Sequence, residues 1–258
     1  MIHTITIDPI IYQNARPFPY GIEDGVIEEK FAKDLQAEIL AIPREAWDRY
    51  SNPFEDKFTL RDKYNFPPLL SALFKELESD KMVETLSHIC GYQLYLDPTR
   101  NFWGVHTYNS GDKLDIHVDA GLHPVTKQKK KLTLGFYLSY NWTEDCGCEL
   151  EIWKGENAAS NDAKLIEKIT SIAPMFNRMI LFTCNDYAWH GNPVPVHSSG
   201  DAKRIFVTIS YLSNDLEDQN KRLKAYFIAR PNDAIDVEKD KMRLLRADPE
   251  KYKEIYRI

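Results

Sequence analysis

The sequence has no apolar run approaching the roughly 18 residues that a membrane-spanning helix requires. Its opening, Met1-Ile2-His3-Thr4-Ile5-Thr6, lacks the basic end and apolar stretch of a secretory signal. Cysteine is scarce as well: Cys90, Cys146, Cys148 and Cys184 are four thiols scattered over 258 residues, which leaves no disulfide framework to read. Reduced thiols and a cytoplasmic location are the expectation. The Cys146-Gly147-Cys148 pair has no second pair or Cys-x-x-His partner with which to build a zinc site. Positive charge is in deficit, with 33 Lys and Arg against 39 Asp and Glu and a net charge of −6. That background field opposes binding to nucleic acid or an anionic membrane, and neither is expected as a partner. The one basic cluster, Lys127-Gln128-Lys129-Lys130-Lys131, has no interleaved aromatics and reads as a solvated loop. No repeat or low-complexity tract is present.

What remains is the balance of a soluble globular protein, 43% hydrophobic and 28% charged. One domain is expected, with mostly helical support over 1–91, a catalytic core over 92–213 and a helical extension over 214–258. Ile2 to Ile7 alternate as a short edge strand. Val26, Ile27, Phe31, Leu35, Ile39 and Ile42 recur near helical period before Pro43, and Leu69 to Ile89 reads as two helices broken at Ser79-Asp80. Between them, Trp47 to Pro68 carries Asn52-Pro53 and Pro67-Pro68 and reads as loop bordering a substrate entrance. From Gly91 onward short β runs take over: Tyr92 to Leu96, Trp103 to Tyr108, Lys113 to Val118, Leu132 to Leu138, Glu149 to Trp153, Leu165 to Ile172, Met179 to Thr183 and Arg204 to Leu212. About eight such strands is the count of a jelly roll, so the fold expected is α+β and mainly β, a double-stranded β-helix core packed on N-terminal helices. Short C-terminal helices are expected at Val237 to Arg246 and Pro249 to Tyr256.

Three side chains carry the chemistry. His117 and Asp119 lie two apart in an extended run and so share a face. His190 follows the apolar strand Met179 to Thr183 beside a turn, where packed sheets can bring it against the first pair. Two imidazoles and a carboxylate on one face of an octahedral iron leave the opposite positions to a bidentate co-substrate and dioxygen. Arg204 opens a strand whose period of two sets Arg204, Phe206, Thr208 and Ser210 on one face and Ile205, Val207 and Ile209 in the core. Its planar guanidinium suits a carboxylate of such a co-substrate. Lys203 points the other way and is second choice. His106, on an alternating strand, and His123, in a loop, read as packed or solvated, and neither is taken as catalytic. Trp103, Tyr140, Trp142, Trp153 and Trp189 read as core aromatics, with Trp189 beside a candidate ligand the one worth testing.

Taken together, Tyr108-Asn-Ser-Gly111, His117-x-Asp119, the strand Leu132 to Leu138 followed by Asn141-Trp142, the turn Gly147-Cys-Glu-Leu150, and His190 followed by Arg204 resemble the prolyl-hydroxylase branch of the iron(II)/2-oxoglutarate dioxygenases. The resemblance spans Tyr92 to Ser213. It implies that Tyr108, Thr133 and Tyr137 line the co-substrate pocket beside Arg204. Two departures stand out: Cys148 occupies a position where glycine is usual, and the gap from His190 to Arg204 is longer than in many members.

The resemblance implies a non-haem iron(II) enzyme that consumes 2-oxoglutarate and dioxygen, releases succinate and carbon dioxide, and uses ascorbate to keep its iron reduced. Because Asp119 retains the carboxylate ligand, hydroxylation is expected over halogenation. A protein side chain is the first expectation for substrate, and a free amino acid, sugar or nucleotide intermediate the alternative. A non-catalytic jelly-roll sensor and a zinc-dependent hydrolase are the rivals of other classes.

Overall fold

The computed structural model describes residues 1–160, 162–197, 200–214, 222–248 and 250–251. In chain order its main elements are α1 (Pro9–Asn14), β1 (Tyr20–Asp24), α2 (Glu29–Leu40), β2 (Trp47–Asn52), β3 (Glu55–Leu60), α3 (Pro68–Leu77), α4 (Asp80–Cys90), β4 (Gly104–Tyr108), β5 (Lys113–Val118), β6 (Lys129–Tyr137), β7 (Leu150–Gly155), β8 (Leu165–Ile172), β9 (Arg178–Thr183), β10 (Trp189–Asn192), β11 (Arg204–Ser213), β12 (Tyr226–Phe227) and α5 (Val237–Ala247).

The helices form where periodicity and caps coincide. In α2 the Glu28 carboxylate accepts from the Lys30 and Phe31 amides, and Ala32, Leu35 and Ile39 make the buried stripe. The next two helices break where Ser79 caps α4 through Met82 N, and α4 stops at Gly91, whose φ of 79° is the left-handed conformation that ends helices. All three lie on one sheet. Their buried residues share a core with Leu132, Leu134 and Phe136 of β6, Met179 and Leu181 of β9, and Ile205, Val207 and Ile209 of β11.

That sheet runs β1-β9-β6-β11-β4, and β3 carries the hydrogen bonding on to a second, β5-β10-β7-β8. Phe58 and Thr59 of β3 pair with β4, whereas Glu55 and Asp56 of the same strand pair with β5. Strands β4 to β11 thus divide between two facing layers, as in a jelly roll, and the inward faces enclose a cavity of about 420 Å³. Arg204, Phe206, Thr208 and Ser210 all line it. Gly135 makes room there, since a Cβ at that position would sit 2.1 Å from Phe206 Cζ.

Several expectations are corrected. Trp47 to Pro68 is no loop: Trp47↔Leu60 through Asn52↔Glu55 pair as a hairpin, because the Asn52-Pro53 turn joins two strands instead of ending one. Ile2 to Ile7 contributes only the bridge Ile2↔Ile27, and β1 is the edge strand. Tyr92 to Leu96 is likewise reduced to the bridge Tyr95↔Leu212. Lys129 to Lys131 belong to β6, and Lys129 and Lys130 are buried. Val237–Ala247 is helical as expected, and Pro249 to Tyr256 lies mostly outside the described residues. Among the described residues no helix is long and apolar enough to cross a membrane.

Adjacent residues of β11 should therefore respond differently to truncation. Ile209→Ala opens a hole in the helix-facing core and should cost about 2–4 kcal/mol. Ser210→Ala removes only a hydroxyl contact with Thr133 (3.2 Å) and should cost about 1 kcal/mol. Urea denaturation of the two variants reads the difference.

Candidate active site

The two histidines are brought together by strand pairing. In the antiparallel ladder of β5 with β10, His117 lies directly opposite His190, and their ring centroids are 4.5 Å apart. Such closeness depends on the next residue along. A Cβ on Gly191 would stand 2.6 Å from the Asp115 carbonyl oxygen and 2.9 Å from that of Leu114, so only glycine lets β10 approach β5 this nearly. The ladder is irregular between His190 and Asn192, which accommodates the approach.

Backbone carbonyls then fix which ring nitrogen faces the cavity. His117 Nδ1 lies 2.9 Å from the Asp115 oxygen, and His190 Nδ1 lies 2.8 Å from the Ala188 oxygen. A carbonyl can only accept, so each Nδ1 carries the proton and each Nε2 presents a lone pair. Both Nε2 atoms face Asp119, at 3.6 Å from His117 to Oδ1 and 4.0 Å from His190 to Oδ2. The three ligand atoms lie within 4.8 Å of one another, and this is a donor set suited to a divalent metal. Burial, and then the neighbouring His117, lowers His190 to about 4, so its imidazole is neutral at physiological pH. Burial alone would raise the Asp119 carboxyl, but Lys130 and the two imidazoles hold it well below the usual carboxylate range.

Lys130 is the group that sequence reasoning misplaced. Its ammonium donates to Asp119 Oδ2 at 2.6 Å, leaving Oδ1 toward His117. A strict period of two would turn Lys130 to the helix-facing side with Leu132, Leu134 and Phe136. The irregularity in the β6–β11 ladder, where Leu132 pairs with Tyr211 and Lys130 with Leu212, brings it to the cavity beside Thr133 and Tyr137, and no alternation announces it. Phe182 packs on the His190 ring at 4.5 Å and Phe227 on the His117 ring at 5.1 Å, shielding both imidazoles from water. Phe227 sits on the two-residue strand β12, which has too little periodicity to be legible.

Across the cavity, Arg204 pairs in register with Tyr108. The guanidinium is 2% exposed, lies 4.7 Å from the Tyr108 ring and 5.0 Å from the Tyr137 ring, and donates to Tyr137 Oη at 3.4 Å. No carboxylate among the described residues pairs with it, and its Nε has no hydrogen-bond partner. A buried guanidinium without a counter-ion is costly, and aromatic faces offset only part of that cost. The arrangement fits an anion that the chain itself does not provide. Thr133, linked to Ser210 and to Cys184 Sγ, also lines the cavity, as do Tyr108 and Tyr137.

The remaining sequence candidates separate. His106 lines the cavity. His123 is fully buried elsewhere, held by Asp97 and Thr99. Trp189 packs on Tyr226 and donates to the Glu156 carbonyl, so it is a core residue outside the cavity. Cys148 has a φ of 60°, the conformation glycine adopts freely, at the position where the sequence departs from the family pattern.

Comparison with known proteins agrees with this geometry. The family model of the 2OG-Fe(II) oxygenase superfamily matches residues 103–212, the stretch that contains His117, Asp119, His190 and Arg204. Over those 110 of its 258 residues the chain is similar to this superfamily. No curated protein sequence matches this chain. Among solved structures its fold resembles a Pseudomonas putida prolyl-4-hydroxylase (TM-score 0.57, 12% identity, covering 79% of this chain and 97% of that one). It also resembles a Trichoplax adhaerens prolyl hydroxylase in complex with a hypoxia inducible factor peptide fragment (0.58, 15% identity, 79% and 88%). A third likeness is to SnoK, a non-haem α-ketoglutarate-dependent carbocyclase from nogalamycin biosynthesis (0.58, 11% identity, 89% and 89%). At such identities the likeness is one of fold.

Two outcomes follow from the geometry. Gly191→Ala should force β10 away from β5 and weaken iron(II) or manganese(II) binding at least about tenfold while leaving the helix-facing core intact. Metal titration compared with thermal unfolding checks it. The second concerns Glu55 on the cavity wall. Burial would raise this carboxyl, but Lys57 at 2.8 Å and Arg246 at 3.0 Å carry it from 4.5 down to about 2. A lowered carboxyl stabilises the fold above its unfolded value, and that contribution is lost as pH falls from 4.5 toward 2. Glu55→Gln should therefore flatten acid destabilisation in that window by on the order of 3 kcal/mol, measured by denaturation at stepped pH.

Proposed function

We propose that the chain is an iron(II)/2-oxoglutarate-dependent hydroxylase in which His117, Asp119 and His190 hold the metal and Arg204 receives the distal carboxylate of 2-oxoglutarate. The observation that carries this reading is the pairing of a converging His-Asp-His set with a buried guanidinium that has no counter-ion among the described residues, in one cavity. When bound there, iron(II) supplies the redox chemistry by which 2-oxoglutarate, dioxygen and a C–H bond become succinate, carbon dioxide and an alcohol.

The protein's own contributions are positional and electrostatic. The Asp115 and Ala188 carbonyls hold both imidazoles in the tautomer that can ligate, so no proton has to be expelled when a metal arrives. Lys130 fixes the Asp119 carboxylate by its outer oxygen and balances its charge. Tyr137, whose phenol burial pushes up to about 12, stays protonated and keeps a donor beside Arg204. Thr133 and Ser210 add hydroxyls on the same wall. Phe182 and Phe227 keep bulk water off the imidazoles, which strengthens every charge interaction inside.

A protein side chain is our reading of the substrate, as in the prolyl hydroxylases whose fold the chain shares. The SnoK likeness supports a small molecule as the second reading, because that protein is a carbocyclase of a biosynthetic pathway. The helices of 1–91 share a core with the jelly-roll strands, which supports treating the chain as a single catalytic unit. The four cysteines are all unpaired and buried, which supports a reducing, cytoplasmic setting.

Oxygen-dependent succinate release should require both iron(II) and 2-oxoglutarate, vanish with a chelator and fail to return with zinc. His117→Ala should abolish metal binding and lower succinate release more than about 100-fold. Arg204→Ala should raise the KM for 2-oxoglutarate at least tenfold, the effect of losing a charge-assisted contact, with Arg204→Lys intermediate. Activity restored by zinc without oxygen would instead identify a hydrolase.

A further inference from the structure

His123 and Asp97 have no part in the reaction proposed above, yet both side chains are wholly enclosed, at 0% exposure. Their hydrogen bonds are specific. The His123 Nδ1 accepts from the Val125 and Thr126 amides at 3.2 and 2.9 Å, so the proton of the neutral ring lies on Nε2. That N–H leaves its own loop and meets Asp97 Oδ1 at 3.0 Å. Asp97 in turn accepts from the Thr99 amide through Oδ1 and from the Phe102 amide through Oδ2, both at 2.9 Å. One carboxylate thus ties the backbone of 97–102 to the loop that follows Asp119.

Both tied segments bear on Lys130. Asp119 and Lys130 stand at the two feet of the 119–130 loop, which closes through the Leu122↔Lys129 bridge, the His123 amide on the Gln128 carbonyl at 2.8 Å and the Lys130 amide on the Gly121 carbonyl at 3.2 Å. The loop therefore sets the backbone of Lys130 relative to Asp119. The head of the same lysine is set from the other segment. Its ammonium lies over the Phe102 ring, 5.3 Å from the centroid, while donating to Asp119 Oδ2 at 2.6 Å. The Phe102 ring meets His123 edge-on, with centroids 5.3 Å apart and 89° between the planes. Lys130 is only 9% exposed, so a carboxylate and an aromatic face stand where water would otherwise hold the charge. A lysine stem is flexible, and a second surface for the ammonium narrows the directions it can take.

We propose that His123, Asp97 and Phe102 form a positioning unit for the metal site: they keep Lys130 on the outer oxygen of Asp119, so that the other oxygen is presented to the ion. The inference rests on the reading of His117, Asp119 and His190 as metal ligands. Phe102 acts through Lys130, and that dependence separates positioning from ordinary packing.

Calorimetric titration of the full chain with manganese(II) tests it. Phe102→Leu keeps apolar volume but removes the aromatic face, and it should weaken manganese(II) binding at least about threefold, with Phe102→Tyr close to the unaltered chain. In a Lys130→Met background the same Phe102→Leu change should have no further effect, because the lysine through which it acts is gone. His123→Leu should weaken binding as Phe102→Leu does, and His123→Gln, which keeps an N–H for Asp97, should recover part of the loss. If His123→Leu does not fold, the Phe102 series decides alone. Binding unchanged by Phe102→Leu or by a folded His123→Leu, or weakened by Phe102→Leu as much without Lys130 as with it, overturns the inference and leaves the metal site standing. An unaltered chain that takes up no manganese(II) overturns the metal reading itself, and the inference with it.

Discussion

The close approach of β10 to β5 is the constraint on which the rest of the site depends. His117 and His190 face each other across one step of an antiparallel ladder, and the glycine after His190 removes the only side-chain atom that would prevent it. Once the strands are that near, the two ring orientations follow from carbonyls two residues upstream of each histidine, and Asp119, one residue beyond the strand, completes the set. A metal site of this kind is a property of strand register. Shifting the register by one residue would turn His117 to the opposite face of its sheet.

The second organising effect is electrostatic and works by division of labour. Arg204, backed by two tyrosine rings, waits for a charge from outside, whereas Lys130 is already engaged with Asp119. A cation held by an internal carboxylate orients it, and a cation denied one selects a ligand. Both lie within the same two sheets. The difference between them is whether the chain supplies the partner.

Much of this arrangement was legible in the sequence because alternation in strands is a strong signal. The inward set Arg204, Phe206, Thr208 and Ser210 and the outward set Ile205, Val207 and Ile209 fall on the two faces that a period of two assigns. The bounds of β5 and β8, and the break between α3 and α4, coincide with the pattern for the same reason. The β2–β3 hairpin was not legible, since its turn signals resemble those of a loop and its strands are polar on both faces. Lys130 was hidden by composition: in a run of lysines, solvation is the ordinary expectation, and only the tertiary partner Asp119 reverses it. Glu55 and Arg246 meet across 191 positions of sequence, and no local pattern announces such a contact.

That last contact bears on how the molecule is made. The face that carries His117, Asp119 and His190 is complete once His190 has been synthesised, but one wall of the cavity waits for Arg246 of α5, more than fifty residues later by the numbering of the sequence. While the chain is still emerging from the ribosome, the barrel can close around its strands with Glu55 and Lys57 still open to solvent on the α5 side. Helix α5 then acts as a keystone, set after the arch is standing.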